Sequence, residues 1–190
     1  AARRVFAEHG YDKASIKLIA QEAQLKSSAL IYWYFENKEA LLAEILKVGV
    51  PLAQLGDVTP AFFELPPEEL LPRLLRMHLT AINDEEIEKI VRIFVPEALR
   101  NDSFQARFGE IVSPVFELVR YYMEMQIANG RFRPHDTAVS TRSLLAITVF
   151  YGLNKLMVPD LAEGLPEQDH YINEAVTILI RGLKNGDSHD

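Results

Sequence analysis

Apolar residues recur every three to four positions along most of the chain, the spacing of helices with one buried face. Strand signals are almost absent: there is no sustained alternation, and no Asn-Gly or Asp-Gly step sits between two alternating runs. Val5, Phe6 and His9 share one face of an opening helix that ends at Gly10. In "ASIKLIAQEA", Ile16, Ile19, Ala20 and Ala23 form a stripe and Ser15 stands where a cap belongs. "QLK" breaks the pattern, a third helix is expected from about 27 to 34, and Asn37 caps a fourth whose inner stripe is Leu41, Leu42, Ile45 and Leu46. Pro51 and "GDVTP" predict a loosening over about 51–66. Pro66-Pro67 followed by two glutamates starts the next helix. Helices of about 67–82, 84–100 and 103–128 follow, with Pro72, Pro96 and Pro114 expected to kink or interrupt them. "NGRFRP" (129–134) stops the last of these, a helix spans about 136–157, and "VPDLAEGLP" makes a loop. Pro166 opens a final helix to about 184, before a frayed tail. The chain therefore reads as all-α, with about nine helices. A head of three short helices and the start of a fourth (1–48) precedes a larger helical bundle (49–190). Because "AARRVFAEHGY" begins within a helical pattern, further residues are expected upstream.

Composition narrows this picture. A chain of 190 residues, 48% of them hydrophobic, can bury a substantial core. It has no cysteine, so neither a disulfide nor a thiol acts in it, which fits a cytoplasmic setting. No apolar run approaches the roughly 18 residues of a membrane helix. The net charge of −7 argues against a polyanion partner for the whole chain, but it is unevenly spread. Residues 1–48 carry seven Lys/Arg against six Asp/Glu, and residues 49–190 carry thirteen against twenty-one. An acidic body with a near-neutral, locally basic head suits a protein with one end turned to a polyanion; random surface variation is the alternative.

The head holds an unusual run, Ile31-Tyr32-Trp33-Tyr34-Phe35. Neighbouring helical positions lie about 100° apart, so these rings cannot all face one core. Two short helices joined by a tight break, with a supporting helix before them, describe a helix-turn-helix unit whose second helix enters the DNA major groove. Ile31 and Phe35 can then face inward against Ile19 and Ala20. That leaves Lys26, Ser27, Ser28, Ala29, Tyr32 and Trp33 for phosphates and base edges. Lys38 opposes the dipole of the helix it opens, so a phosphate contact is the expected use of its charge. Ordinary core aromatics are the alternative reading of the run.

The stretch "VFAEHGYDKASIKLIAQEA…LIYWYFENKEALL" resembles the N-terminal domain of TetR-type transcriptional regulators over about residues 4–46. Phe6, Gly10 and Tyr11 match the end of that family's first helix, Ser15 the opening of the second, and Ile19, Ala20 and Ala23 its "IA..A" run. Tyr32, Tyr34, Phe35, Lys38, Glu39 and Leu41 match the closing "Y.YF..KE.L" signature. The resemblance implies phosphate contacts at Ser15, Tyr32 and Lys38, with Lys17 beside them, and base reading among residues 26–29. Two departures leave details open. Where the family turn usually reads Ala-Gly-Val-Ser, this chain has Ala23-Gln24-Leu25-Lys26, and the stretch from Ala23 to Tyr32 is one residue longer than the common form.

The resemblance further implies a homodimer joined by the last two long helices, a double-stranded DNA operator of roughly palindromic sequence, and a small-molecule effector, largely apolar, that releases it. Leu145, Val149, Gly152, Ile172, Val176, Leu179 and Leu183 are the candidate dimer residues. Binding physics also calls for two heads, since one short helix makes few contacts whereas two reach successive grooves about 34–36 Å apart. Met77, His78, Phe94, Phe116, Arg120, Tyr121, Met125, Phe150 and Asn154 combine apolar bulk with a few polar groups and are candidates for the effector, plain core packing being the alternative for each. Asp136 beside His135 suits a helix cap. No phosphate-binding glycine loop, HExxH or GxSxG is present, and the five histidines lack metal-ligand spacing, so neither catalysis, a cofactor nor a metal is expected. The competing reading is a helical protein that binds a small molecule or partner and whose head no longer contacts DNA.

Overall fold

The computed structural model describes residues 1–48, 60–158, 160 and 163–185. Among these there are ten helices and no strand. They are α1 (Ala2–Lys13), α2 (Ile16–Glu22), α3 (Ala29–Tyr32), α4 (Lys38–Val48), α5 (Pro60–Glu64), α6 (Pro67–Ile82), α7 (Glu85–Arg100), α8 (Asp102–Ala128), α9 (Thr137–Met157) and α10 (Gln168–Leu183). The expected loosening over 51–66 lies partly outside the described residues, and its described part contains α5 and the cap of α6. The middle of the 158–166 loop and the tail beyond 185 also lie outside them. No described helix is long and apolar enough to cross a membrane.

Local signals set most boundaries. The Leu18 N–H donates to Ser15 Oγ (3.1 Å), the Ala40 N–H to Asn37 Oδ1 (2.8 Å), and the Ala138 and Val139 N–H groups to Asp136 Oδ1 (2.9 and 3.3 Å). Each cap satisfies donors that the first turn of a helix leaves without partners. Gly10 breaks α1 with a φ of 73°, and one further turn follows it. Pro72, Pro96 and Pro114 lie inside α6, α7 and α8, and none interrupts its helix.

The chain divides into two compact units, residues 1–54 with 81–112 and residues 55–80 with 113–190. The expected head lies in the first unit, which also takes α7 and the opening turns of α8. There α7 packs on α1 and α4, and one core joins Phe6, Ile19, Ile31, Leu42, Ile90, Phe94 and Phe104. In the second unit, α9 packs on α10. The carbonyls that end α5 are taken up by three side chains: Gln126 Nε2 donates to Phe63 O (3.0 Å), the Arg131 guanidinium to Glu64 O (3.0 Å), and the Tyr122 hydroxyl to Leu65 O (2.8 Å). Arg133 does the same for α10, its N–H meeting Leu183 O (2.8 Å) and its Nε meeting Gly182 O (3.1 Å). Lys184 on Glu68 (2.5 Å) holds that carboxyl below its ordinary range.

Candidate nucleic-acid interface

The α2–α3 turn closes on a residue that local sterics disfavour. The Gln24 N–H bonds Gln21 O (3.0 Å) and the Leu25 N–H reaches back to Ala20 O (2.9 Å), the paired bonds of a Schellman C-cap. That motif needs its central residue in the left-handed region, and Gln24 adopts φ 55°. The end of α8 makes the same pair of bonds around Gly130, at φ 71°. Gln24 thus supplies the geometry that glycine gives elsewhere, at a strain of about 1 kcal/mol. Gln24→Gly is expected to stabilise the protein by about 0.5 kcal/mol in chemical denaturation, because relief of strain exceeds the added chain entropy. An unchanged or lower midpoint would contradict the strain.

Helix α3 is shorter than the expected 27–34. One α-turn is flanked by tighter turns, with the Leu30 N–H on Ser27 O (3.3 Å), the Ile31 N–H on Ser28 O (3.1 Å) and the Tyr34 N–H on Ile31 O (3.0 Å). Ile31 is buried and Phe35 half-buried, so they anchor α3 from behind. In front, Tyr32 is 55% exposed and Trp33 81%. Lys17, Lys26, Ser27 and Ala29 are exposed beside them, while Ser28 is half-buried. Ser15 is exposed as well, although its oxygen already caps α2. Tyr34, which the outward-facing set did not include, is as exposed as Trp33. Helical angles alone could not reveal this, because the chain leaves the helix after Tyr32.

Lys38 departs from expectation. Its ammonium donates to Tyr11 O (2.6 Å) and Ala14 O (3.0 Å) and lies 4.0 Å from the centre of the Tyr11 ring. A cation at the start of α4 opposes that helix's own dipole, but here it meets the carbonyls that end α1, where positive charge is favoured. Its charge therefore fastens α4 to α1, a use that the expected phosphate contact did not include. Tyr11 in turn stacks on Phe6 (6.1 Å) and meets Phe104 edge-on (5.1 Å). Burial and the neighbouring Glu39 carboxylate raise its hydroxyl pKa well above the ordinary value. On the far side, Arg4 on Glu22 (2.5 Å) links α1 to α2, and Arg107 on Glu36 (3.2 Å) links α8 to the α3–α4 loop.

The effector candidates do not form one group. Phe94 belongs to the first unit, buried against Phe104 (5.7 Å) and Phe108 (5.2 Å), because α7 turns its apolar face to α1 and α4. Phe150 is 62% exposed, which places it outside any interior. Arg120 is exposed and paired with Glu117 (2.8 Å) and Glu124 (3.6 Å) on its own helix. Tyr121 is half-exposed and edge-on to Phe63 (4.9 Å), and Phe116 lies beneath the Arg142 guanidinium (5.7 Å). Met77 and Met125 are half-buried and Asn154 is buried. His78 Nδ1 is 2.7 Å from Thr148 Oγ1, a buried partner that was not anticipated.

Burial pushes the His78 pKa from its ordinary 6.5 to about 4. Between those values the unfolded chain binds a proton that the folded chain refuses, so stability falls as pH drops through that window. The loss amounts to about 3 kcal/mol. His78→Gln is expected to flatten this acid limb in denaturation curves taken from pH 7 to 4; an equally steep limb would assign it to other groups.

Of the dimer candidates, Leu145, Ile172, Val176 and Leu183 fill the core of the second unit, so the apolar stripe of α10 faces its own bundle. Gly152 and Leu179 are half-buried and Val149 is exposed. With Val149, the outward large apolar residues are Val139, Phe150 and Met157 on α9 and Ile178 on α10.

Comparison with known proteins agrees with this arrangement. The family described as "Bacterial regulatory proteins, tetR family" matches residues 1–45. The HTH-type transcriptional repressor AcnR of Corynebacterium efficiens is 30% identical over 169 residues, covering 87% of this chain and 83% of that one, and AcnR of Corynebacterium glutamicum is 29% identical over 172. Among solved structures, a TetR-family transcriptional regulator from Mesorhizobium loti superposes with a TM-score of 0.75 at 18% identity, over 97% of this chain and 93% of the other. FadR of Bacillus subtilis, solved in complex with stearoyl-CoA, gives 0.73 at 19%, over 96% and 95%. The α1–α4 head, the likeness to the AcnR repressors over 87% of the chain and the shared fold together show that the chain belongs to the TetR family of transcriptional regulators.

Proposed function

We propose that the protein is a homodimeric, cytoplasmic repressor that seats α3 of each protomer in successive major grooves of a palindromic operator and lets go when a small, largely apolar effector enters the second unit. The observation that carries this reading is the combination, at the end of α3 and its C-cap, of an exposed Tyr32 and Trp33 with a buried Ile31. The ring pair is free to meet a duplex while its backing is fixed. Exposed Lys17, Lys26 and Ser27 supply donors for phosphates and base edges around it.

A second copy of the chain is the cover that best fits the outward faces of α9 and α10. Phe150 and Ile178 are 62% and 69% exposed, and two such faces related by a two-fold axis bury each residue twice. The repressor sense is supported by the AcnR relatives, which carry that description.

The test is selection of duplexes from a random-sequence pool by the purified protein, followed by titration at several salt concentrations. The reading expects a two-fold symmetric consensus, with log affinity falling against log salt by about 0.9 for each phosphate neutralised. A pool with no enriched sequence, or an affinity without salt dependence, would favour a helical binding protein whose head leaves DNA alone.

A further inference from the structure

The exposed side of the α2–α3 segment offers more hydrocarbon than hydrogen-bonding capacity. Besides Tyr32, Trp33 and Tyr34, it shows solvent two leucines, Leu25 at 39% and Leu30 at 40%. A single exposed apolar residue is ordinary, but five within ten residues make a patch, and a patch marks a contact. The polar side is thin. Residues 23–35 include no Arg, Asn, Asp or Glu. Gln24, whose amide could take an adenine edge with two bonds, is held in the turn after α2 rather than on α3. The Ser27 hydroxyl oxygen is taken by the Ala29 N–H (3.1 Å), and Ser28 is half-buried.

The backbone gathers part of that hydrocarbon on one side of α3. Trp33 keeps helical angles, φ −70° and ψ −26°. It therefore stands one turn beyond Ala29 and Leu30, at i+4 and i+3, where helical side chains are neighbours. All three are exposed, and Ile31 takes the buried side. The Leu30 N–H closes a tight turn on Ser27 O (3.3 Å), which holds the backbone that carries the side chain. Leu30 was not among the residues expected to face outward. A major groove offers hydrocarbon one matching group, the 5-methyl of thymine, since the other base-edge groups there are hydrogen-bond donors or acceptors.

Resting on the reading above, in which α3 enters the major groove, we infer that Leu30 is a specificity-determining residue that reads thymine through its 5-methyl group. The Leu30 side chain, with Ala29 and the Trp33 ring beside it, covers that methyl and excludes water from it. Each half-site of the operator then holds a thymine recognised by its methyl rather than by its O4. Cytosine in that place lacks the methyl and turns an amino donor towards hydrocarbon, which leaves the donor without a partner. Burial of one methyl is worth about fourfold in affinity, and about fifteenfold counted in both half-sites.

The experiment takes the duplex selected from the random pool and replaces each thymine of its consensus in turn, in both half-sites, by deoxyuridine, which lacks only the methyl. At one symmetric pair the unaltered protein is expected to bind about fifteenfold more weakly. Cytosine at the same pair, with guanine opposite, is expected to cost more, and 5-methylcytosine to recover about fifteenfold of that loss, since it restores the methyl but not O4. Leu30→Ala is expected to bind the thymine and deoxyuridine duplexes within about twofold of each other. That cycle separates the Leu30–methyl contact from any change in the stiffness of the duplex. A consensus without thymine, deoxyuridine duplexes bound as tightly as the thymine one, 5-methylcytosine no better than cytosine, or a deoxyuridine penalty undiminished in Leu30→Ala would each overturn the assignment and leave the repressor reading standing. A pool with no enriched sequence would sink that reading, and the assignment with it.

Discussion

Phe150→Glu combined with Ile178→Glu is expected to turn the proposed dimer into a folded monomer whose operator affinity is lower by at least a thousandfold. Both side chains stand on the outward faces of α9 and α10, 62% and 69% exposed, so their loss removes nothing from the monomer's own core. In a two-fold interface the substitutions place four carboxylates in apolar surroundings. Each lost Phe or Ile contact is worth about 1.5–3 kcal/mol in apolar burial, counted twice by symmetry, before repulsion is added. The DNA consequence follows from linkage: a lone head keeps its own contacts but loses the second half-site that the dimer delivers at high effective concentration. Light scattering gives the mass, circular dichroism the fold, and titration the affinity. A dimer of unchanged mass would move the interface to another face.

Lys38→Met is expected to act on stability rather than on DNA electrostatics. It strips the donor from Tyr11 O and Ala14 O and removes the cation from the Tyr11 ring, leaving Phe6, Tyr11 and Phe104 packed beneath an unfastened α4. A loss of about 2–3 kcal/mol is expected, since the bonds are charge-assisted and half-buried. The salt slope of DNA binding should stay where it was. Lys17→Met or Lys26→Met, on exposed side chains, should instead lower the slope by about 0.9 for each head with little effect on Tm. A Lys38→Met protein of unchanged Tm and reduced slope would restore the phosphate contact that the family resemblance implied.

These two residues illustrate what the chain discloses before it is folded. Caps were legible because the signal is local: Ser15, Asn37 and Asp136 each bond an N–H two or three residues ahead. The helical architecture was legible because period and length carry it. The carbonyl partners of Lys38 were not legible because they lie 24 and 27 residues away on another helix, beyond anything spacing encodes. The α10 stripe was visible, but a stripe does not say what covers it, and Ile172, Val176 and Leu183 proved to face their own bundle. Phe94 was grouped with residues of the other unit because nothing in its neighbourhood announces that α7 packs on α1. The missing turn glycine left the geometry of α2–α3 open, and the answer, a strained Gln24, depends on packing either side of the turn being strong enough to hold it.

The sequence contains a single tryptophan, and it is Trp33, the C-cap of α3. Its emission therefore reports on the surface assigned to the duplex with no labelling and no mutation. The account predicts that saturating the protein with its selected duplex shifts Trp33 emission and shields the indole from acrylamide, in proportion to the bound fraction. An emission and acrylamide access identical in free and fully DNA-bound protein would contradict the assignment of α3 to the groove.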